Sequence, residues 1–238
     1  MKIALVGHGS MGRLIERLAI EAGHEIVCVV TEDQADLPAE SLSRQLGGAD
    51  VAIDFTTAAA VRRNAEACVA AHVPLVEGTT GWHHQVDDIE RAVRDGSGCC
   101  VYGANFSIGV NLFYRLVDRA AELFAKFDDY DAFIEEQHHS RKKDAPSGTA
   151  VKLKDIVAGH IKRDFTVTST RAGNIPGTHR IGFDGPSDQV LLQHTARSRD
   201  GFALGALMAA EWVVGKTGFF EFSDVVDEIL NGNDRIAA

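Results

Sequence analysis

The first thirty residues limit this chain more than any other stretch. A short apolar run, KIALV, meets a glycine turn, GHGSMG, which sets Gly7, Gly9 and Gly12 in G-x-G-x-x-G spacing. RLIERLAIEAGH then carries apolar residues at helical spacing and stops at Gly23, and EIVCVV is a second apolar run. Three such glycines are a weak signal alone and a strong one between the strand and helix of a βαβ unit. They permit the tight turn, the close approach of a pyrophosphate and tight helix–strand packing. A dinucleotide is therefore expected against Gly7, His8, Gly9, Ser10, Met11 and Gly12.

The alternation continues for about a hundred residues. VAIDF reads as a buried strand followed by the helix AAAVRRNAEACVAAH, and LVEGTTGW as a strand ending at Gly78, Thr79 and Thr80. CCVY leads into Gly103, Ala104, Asn105 and Phe106 before another helix. Turns at strand C-termini share one edge of an open parallel sheet, so these segments are expected to line the same nucleotide crevice. Glu32, directly after the second strand, is a candidate ligand for the ribose hydroxyls, and no Arg or Lys lies between Val30 and Arg44 to receive a 2′-phosphate. That tilts the reading towards NADH and leaves NADPH open.

From Asp131 onward strands dominate: DAFIEEQHH, FTVTSTRAG, HRIGFDG and QVLLQHTAR, with one helix, TAVKLKDIVAGHIK, among them. The fold class expected is α/β. A Rossmann-type parallel-sheet nucleotide-binding domain (1–106 and 199–238) would be joined to an α+β substrate-binding and oligomerisation domain with a mixed sheet (107–198). FALGALMAAEWVVGK reads as an apolar helix, and FFEFSDVVDEIL as a closing segment that returns to the first domain.

Between strand and helix of the second half lies HHSRKKDAPSGT, from His138 to Thr149. Two adjacent imidazoles precede the basic run Arg141, Lys142 and Lys143; Pro146 discourages helix before it, and Ser147 is an N-cap candidate. The backbone N–H groups of Gly148 and Thr149 would then face an anion at a helix N-terminus. Taken singly, neighbouring histidines alternate faces of a strand and a basic run is an exposed turn. Together, acid–base groups, fixed positive charge and an anion nest within twelve residues suit a small carboxylate that undergoes proton transfer.

The formal charge of −10 argues against generic nucleic-acid or anionic-membrane binding. Cys28, Cys68, Cys99 and Cys100 lack metal-ligand spacing, so neither a structural metal nor a disulfide framework is expected, and a reducing cytoplasm fits. No apolar run approaches membrane-spanning length.

With these residues in view, the chain resembles the dihydrodipicolinate reductase family, whose signature E-x-H-H-x-x-K-x-D-A-P-S-G-T-A is met by EQHHSRKKDAPSGTA from Glu136 to Ala150. The glycine turn, GTTG, ANFSIGVN and HTARSRDGFALGAL occur in the family's order and extend the resemblance over nearly the whole length. It implies reduction of a cyclic unsaturated dicarboxylate by NADH or NADPH in lysine and diaminopimelate biosynthesis. It further implies His138 as the acid–base group, Lys142 as proton donor or charge stabiliser, and His139, Gly148 and Thr149 as substrate-binding residues. A homotetramer is implied too. Two other readings compete: a dinucleotide-binding sensor without catalysis, and another two-domain dehydrogenase. Neither accounts for the His pair, Lys142 and the S-G-T turn together.

Overall fold

The computed structural model describes residues 1–232 and divides into two compact units. One comprises residues 1–107 with the chain from Asp200 onward; the other is Ile108–Arg199. Residues 233–238, the end of the first expected domain, lie outside the described residues.

The first unit is built on a six-stranded sheet of β1 (Lys2–Val6), β2 (Glu25–Val30), β3 (Val51–Asp54), β4 (Leu75–Glu77), β5 (Cys99–Tyr102) and β10 (Gly218–Glu221). The strand order is β10-β5-β4-β3-β1-β2, with every pairing parallel. Helices α1 (Ser10–Glu21), α2 (Ala39–Leu46), α3 (Val61–Ala71), α4 (Val86–Asp95), α7 (Asp200–Val213) and α8 (Phe222–Asn231) complete it. Parallel strands covered on both faces need unbroken apolar runs, and β3 and β4 are buried at every position. β1 lies between β2 and β3, so the direction of sheet growth reverses there and leaves a crevice at the strand C-termini. This is the Rossmann-type architecture.

The glycine turn closes as its spacing requires. Gly7 has φ +92°, and a Cβ there would sit 2.5 Å from the Phe55 carbonyl oxygen. A Cβ on Gly12 would collide with the Gly7 carbonyl, so α1 can seat against β1 only through a glycine. The closing segment FFEFSDVVDEIL divides into the end of β10 and most of α8. Phe219 is buried and pairs in register with Cys100 on β5, which a pattern of aromatic residues beside a helix did not announce.

The second unit contains α5 (Ile108–Phe124), α6 (Gly148–His160) and a four-stranded sheet of β6 (Asp131–His138), β7 (Thr166–Arg171), β8 (Thr178–Asp184) and β9 (Gln189–Thr195). Its order is β7-β6-β8-β9, with β6 and β7 parallel and the other pairs antiparallel, which makes the sheet mixed. Burial alternates along β6 with the period of two that a strand imposes. Ala132 and Ile134 point into the core formed with Phe113 and Val117 of α5 and Leu153 and Val157 of α6. The same face continues past this apolar patch to Glu136 and His138, both buried. One strand thus starts as core and ends as polar chemistry. No helix among the described residues is long and apolar enough to cross a membrane.

Candidate active site

In the first unit a cavity of about 320 Å³ opens at the reversal point of the sheet, lined by Gly9, Ser10, Met11, Phe55, Thr56, Thr57, Ala58, Gly78, Thr79 and Thr80. Gly9 caps α1 without a side-chain hydrogen bond, and a Cβ built there would meet nothing within 4 Å. An open helix N-terminus of this kind presents its N–H groups to an anion, and the cavity therefore fits the pyrophosphate of a dinucleotide. His8 turns instead to Glu16 one helical stretch along, 2.7 Å away. Glu32 occupies an exposed single-turn helix after β2 and does not line the cavity. Gly103, Ala104 and Asn105 follow β5, while Phe106 is buried between the rings of Phe55 and Phe222 and serves the core.

In the second unit three strands bring polar groups together. Glu136 and His138 are two residues apart on β6, His179 on β8 is the register partner of Glu136, and Arg171 on β7 is that of His138. The Glu136 carboxylate accepts from His138 Nδ1 through one oxygen and from Arg171 Nη2, at 2.6 Å, through the other. Arg171 also donates to the Asp144 carbonyl at 2.5 Å, tying the basic loop to the sheet. Lys142 pairs with Asp144 at 2.9 Å. Ser147 caps α6 by accepting from Ala150 N and stands 3.1 Å from His179 Nε2. The histidine therefore supports the very turn that Gly148 and Thr149 continue.

This arrangement fixes the His138 tautomer. With Nδ1–H donated to Glu136, Nε2 carries the lone pair. Nε2 faces Gly177, where an added Cβ would lie only 3.2 Å away. Any side chain at position 177 would crowd the one nitrogen left for proton transfer. His139 faces otherwise, with a buried Nδ1 that has no hydrogen-bond partner.

The electrostatics follow from the geometry. Burial lowers the His138 pKa, Glu136 works against that, and Lys142 and Arg171 add to it. Glu136 loses solvation too, but its hydrogen bonds from Arg171, Ser169 and His138 outweigh that and keep its pKa below the usual carboxylate range. Burial, helped by the charge of His138, pushes His179 down to about 4, so it is neutral at physiological pH. Glu136, His138 and His179 could place ligand atoms within 4.8 Å of one another around a metal. Here Arg171 hydrogen-bonds to Glu136 and Ser147 to His179, so both are already engaged with protein groups.

Sequence reasoning named His138, His139, Lys142, Gly148 and Thr149, and the fold places all five on β6, the following loop or the start of α6. It missed Glu136, Arg171 and His179 as members of the cluster. Glu136 was legible in principle, since residues i and i+2 share a strand face. Arg171 and His179 enter only through strand pairing.

Comparison with known proteins bears on the family. The family model described as "Dihydrodipicolinate reductase, N-terminus" matches residues 1–106, and "Dihydrodipicolinate reductase, C-terminus" matches residues 109–226. A relative from Christiangramia forsetii named 4-hydroxy-tetrahydrodipicolinate reductase is 34% identical over 97% of this chain and 99% of its own. One of the same name from Methanosarcina barkeri is 39% identical over 75% of this chain and 73% of its own. Among solved structures, a dipicolinate-bound dihydrodipicolinate reductase from Paenisporosarcina superposes with a TM-score of 0.78 at 22% identity, covering 94% of this chain and 99% of that one. A probable dehydrogenase from Thermotoga maritima shares the fold alone, with a TM-score of 0.58 at 10% identity over 97% of this chain and 94% of its own. Both halves of the sequence, matched in order and aligned almost end to end with a relative of that name, place the chain in the dihydrodipicolinate reductase family.

Proposed function

We propose that this protein reduces 4-hydroxy-tetrahydrodipicolinate to tetrahydrodipicolinate in lysine and diaminopimelate biosynthesis, with His138 as its acid–base group. The ring loses its hydroxyl as water and gains one hydride and one proton. A bound nicotinamide dinucleotide, held at Gly7 to Gly12, Gly78 to Thr80 and Gly103 to Asn105, would supply the hydride. His138 holds and delivers a proton at Nε2, oriented by Glu136. Lys142 stabilises the negative charge that develops on the ring or donates the final proton. The α6 N-terminus, with Gly148 and Thr149, binds the substrate carboxylates together with His139.

The observation that carries this reading is the clamp on His138. A buried carboxylate fixed by Arg171 leaves a single imidazole nitrogen open, on the strand that leads into Lys142 and the anion-binding turn. A non-catalytic sensor would have no use for it. The acidic turn after β2, with Glu32 and Asp33 and no basic residue before Arg44, supports NADH over NADPH as the donor. A homotetramer formed through the sheet of the second unit is proposed as well. Leu191 on the edge strand β9 is 47% exposed, as such a contact would require. Four free thiols suit a cytoplasmic location.

The test is a spectrophotometric assay with NADH and NADPH side by side, the substrate being generated in situ by dihydrodipicolinate synthase. Oxidation of either nucleotide only when that substrate is present is expected. Oxidation with simple hydroxy or amino acids, and none with this substrate, would assign another dehydrogenase activity.

A further inference from the structure

Against the dinucleotide cavity, on the sheet side, two acids are buried together. Asp54 ends β3 and Glu77 ends β4; they are register partners on adjacent parallel strands, so their side chains leave the sheet on one face. Asp54 is 0% and Glu77 1% exposed, and one oxygen of each, Asp54 Oδ1 and Glu77 Oε2, is buried without a hydrogen-bond partner. An ionised carboxylate can only accept, so these two oxygens can satisfy each other only when one partner carries a proton.

The remaining oxygens are tied to the walls of the cavity. Asn64 Nδ2 donates to Asp54 Oδ2 at 2.6 Å and to Thr56 Oγ1 at 3.2 Å. Thr79 N donates to Glu77 Oε1 at 2.7 Å, and Thr79 Oγ1 accepts from Thr56 N at 3.0 Å. Trp82 Nε1 donates to the Thr79 carbonyl at 2.8 Å. Both Thr56 and Thr79 line the cavity, so its two walls hang from one acid pair.

The groups that face the pair offer no strong counter-charge. Arg63 on α3 reaches Asp54 only at a distance, because its guanidinium is spent on the Asn64 side-chain oxygen. The thiols of Cys68 on α3 and Cys100 on β5 are buried, which holds them protonated. Among the described residues neither acid forms an ion pair. Burial raises the pKa of both carboxyls, and the charge of Asp54 raises that of Glu77 further, which puts the proton on Glu77.

We propose that Asp54 and Glu77 share a single proton at neutral pH and, as that pair, position the Thr56 and Thr79 walls of the dinucleotide site. The positioning half rests on the cofactor assignment proposed above. Sharing the proton also leaves one negative charge, not two, beneath a cavity that must accept an anion.

Two measurements test this. Infrared spectroscopy of the dinucleotide-free protein at neutral pH should show the carbonyl stretch of a protonated carboxylic acid, and Glu77→Gln should remove it. In NADH titrations, Glu77→Gln replaces the acid O–H by an amide N–H and keeps the acceptor for Thr79, so the dissociation constant should stay within about threefold of the wild type. Glu77→Ala, which leaves Thr79 N and Asp54 unpaired, should weaken binding roughly tenfold or more. Absence of the band from the folded wild type would overturn the shared proton, whether or not Glu77→Ala folds. Equal weakening by Gln and Ala would overturn the positioning role. A wild type that shows the band and binds neither NADH nor NADPH would overturn that role by a different route, through the cofactor assignment itself.

Discussion

Glu136 decides which nitrogen of His138 is free. Its carboxylate accepts the hydrogen bond from Nδ1–H, and Arg171 keeps it ionised and in place. Glu136→Gln should lower kcat by roughly tenfold or more while changing substrate KM little, because the imidazole remains but loses its fixed tautomer. Glu136 also holds the His138 pKa up, and His138 acts as the proton donor, so the alkaline limb of the kcat–pH profile should move to lower pH in this variant. A lower kcat with an unmoved limb would reduce Glu136 to a packing role. His179 carries a second pH dependence. Its folded pKa of about 4 lies below the ordinary value of 6.5, so the folded state binds its proton less readily than the unfolded state does. The resulting stability is complete above the unfolded pKa and is lost as pH falls through the folded one, on the order of 3 kcal/mol in all. Denaturant titrations between neutral pH and pH 4 should show that loss in the wild type and much less of it in His179→Gln. Equal slopes would remove His179 as the cause.

At the scale of elements, α6 joins stability to substrate binding. Ser147 accepts from Ala150 N and meets His179, so one hydroxyl both caps the helix and supports the anion-binding turn. Ser147→Ala should cost about 1 kcal/mol for the cap, with a further loss because His179 Nε2 is left buried without a partner. Chemical denaturation would measure this; no change in the midpoint would show that the cap is solvated elsewhere. Thr149→Val, one position into the helix, should raise the dissociation constant for dipicolinate about tenfold and leave that for NADH unchanged. Equal loss of both ligands in calorimetric titrations would indicate misfolding, not a lost contact. β6 explains how these groups come together. Its alternating face passes from Ala132 and Ile134 in the core to Glu136 and His138, so the packing that seats the strand also aims the imidazole.

For the molecule as a whole, the sequence was most legible where local rules act. The glycine turn, the apolar runs of β1 to β5 and the S-G-T cap each depend on a few neighbouring residues, and each forms where expected. β10 was not legible, because Phe219 becomes a strand residue only by pairing with β5, over a hundred residues earlier in the chain. The same reason hid Arg171 and His179, which reach Glu136 through sheet register, and the Asp54–Glu77 pair, whose members are 23 positions apart. Local chemistry could name His138 and Lys142; only the folded chain supplies what holds them. The most direct measurement is single-turnover reduction of 4-hydroxy-tetrahydrodipicolinate by His138→Gln and Lys142→Ala, with dipicolinate and NADH affinities measured on the same preparations. Each variant should bind both ligands and reduce the substrate roughly 10²-fold or more slowly than the wild type. Near-normal turnover in both would show that neither the imidazole nor the amine carries the proton or the charge.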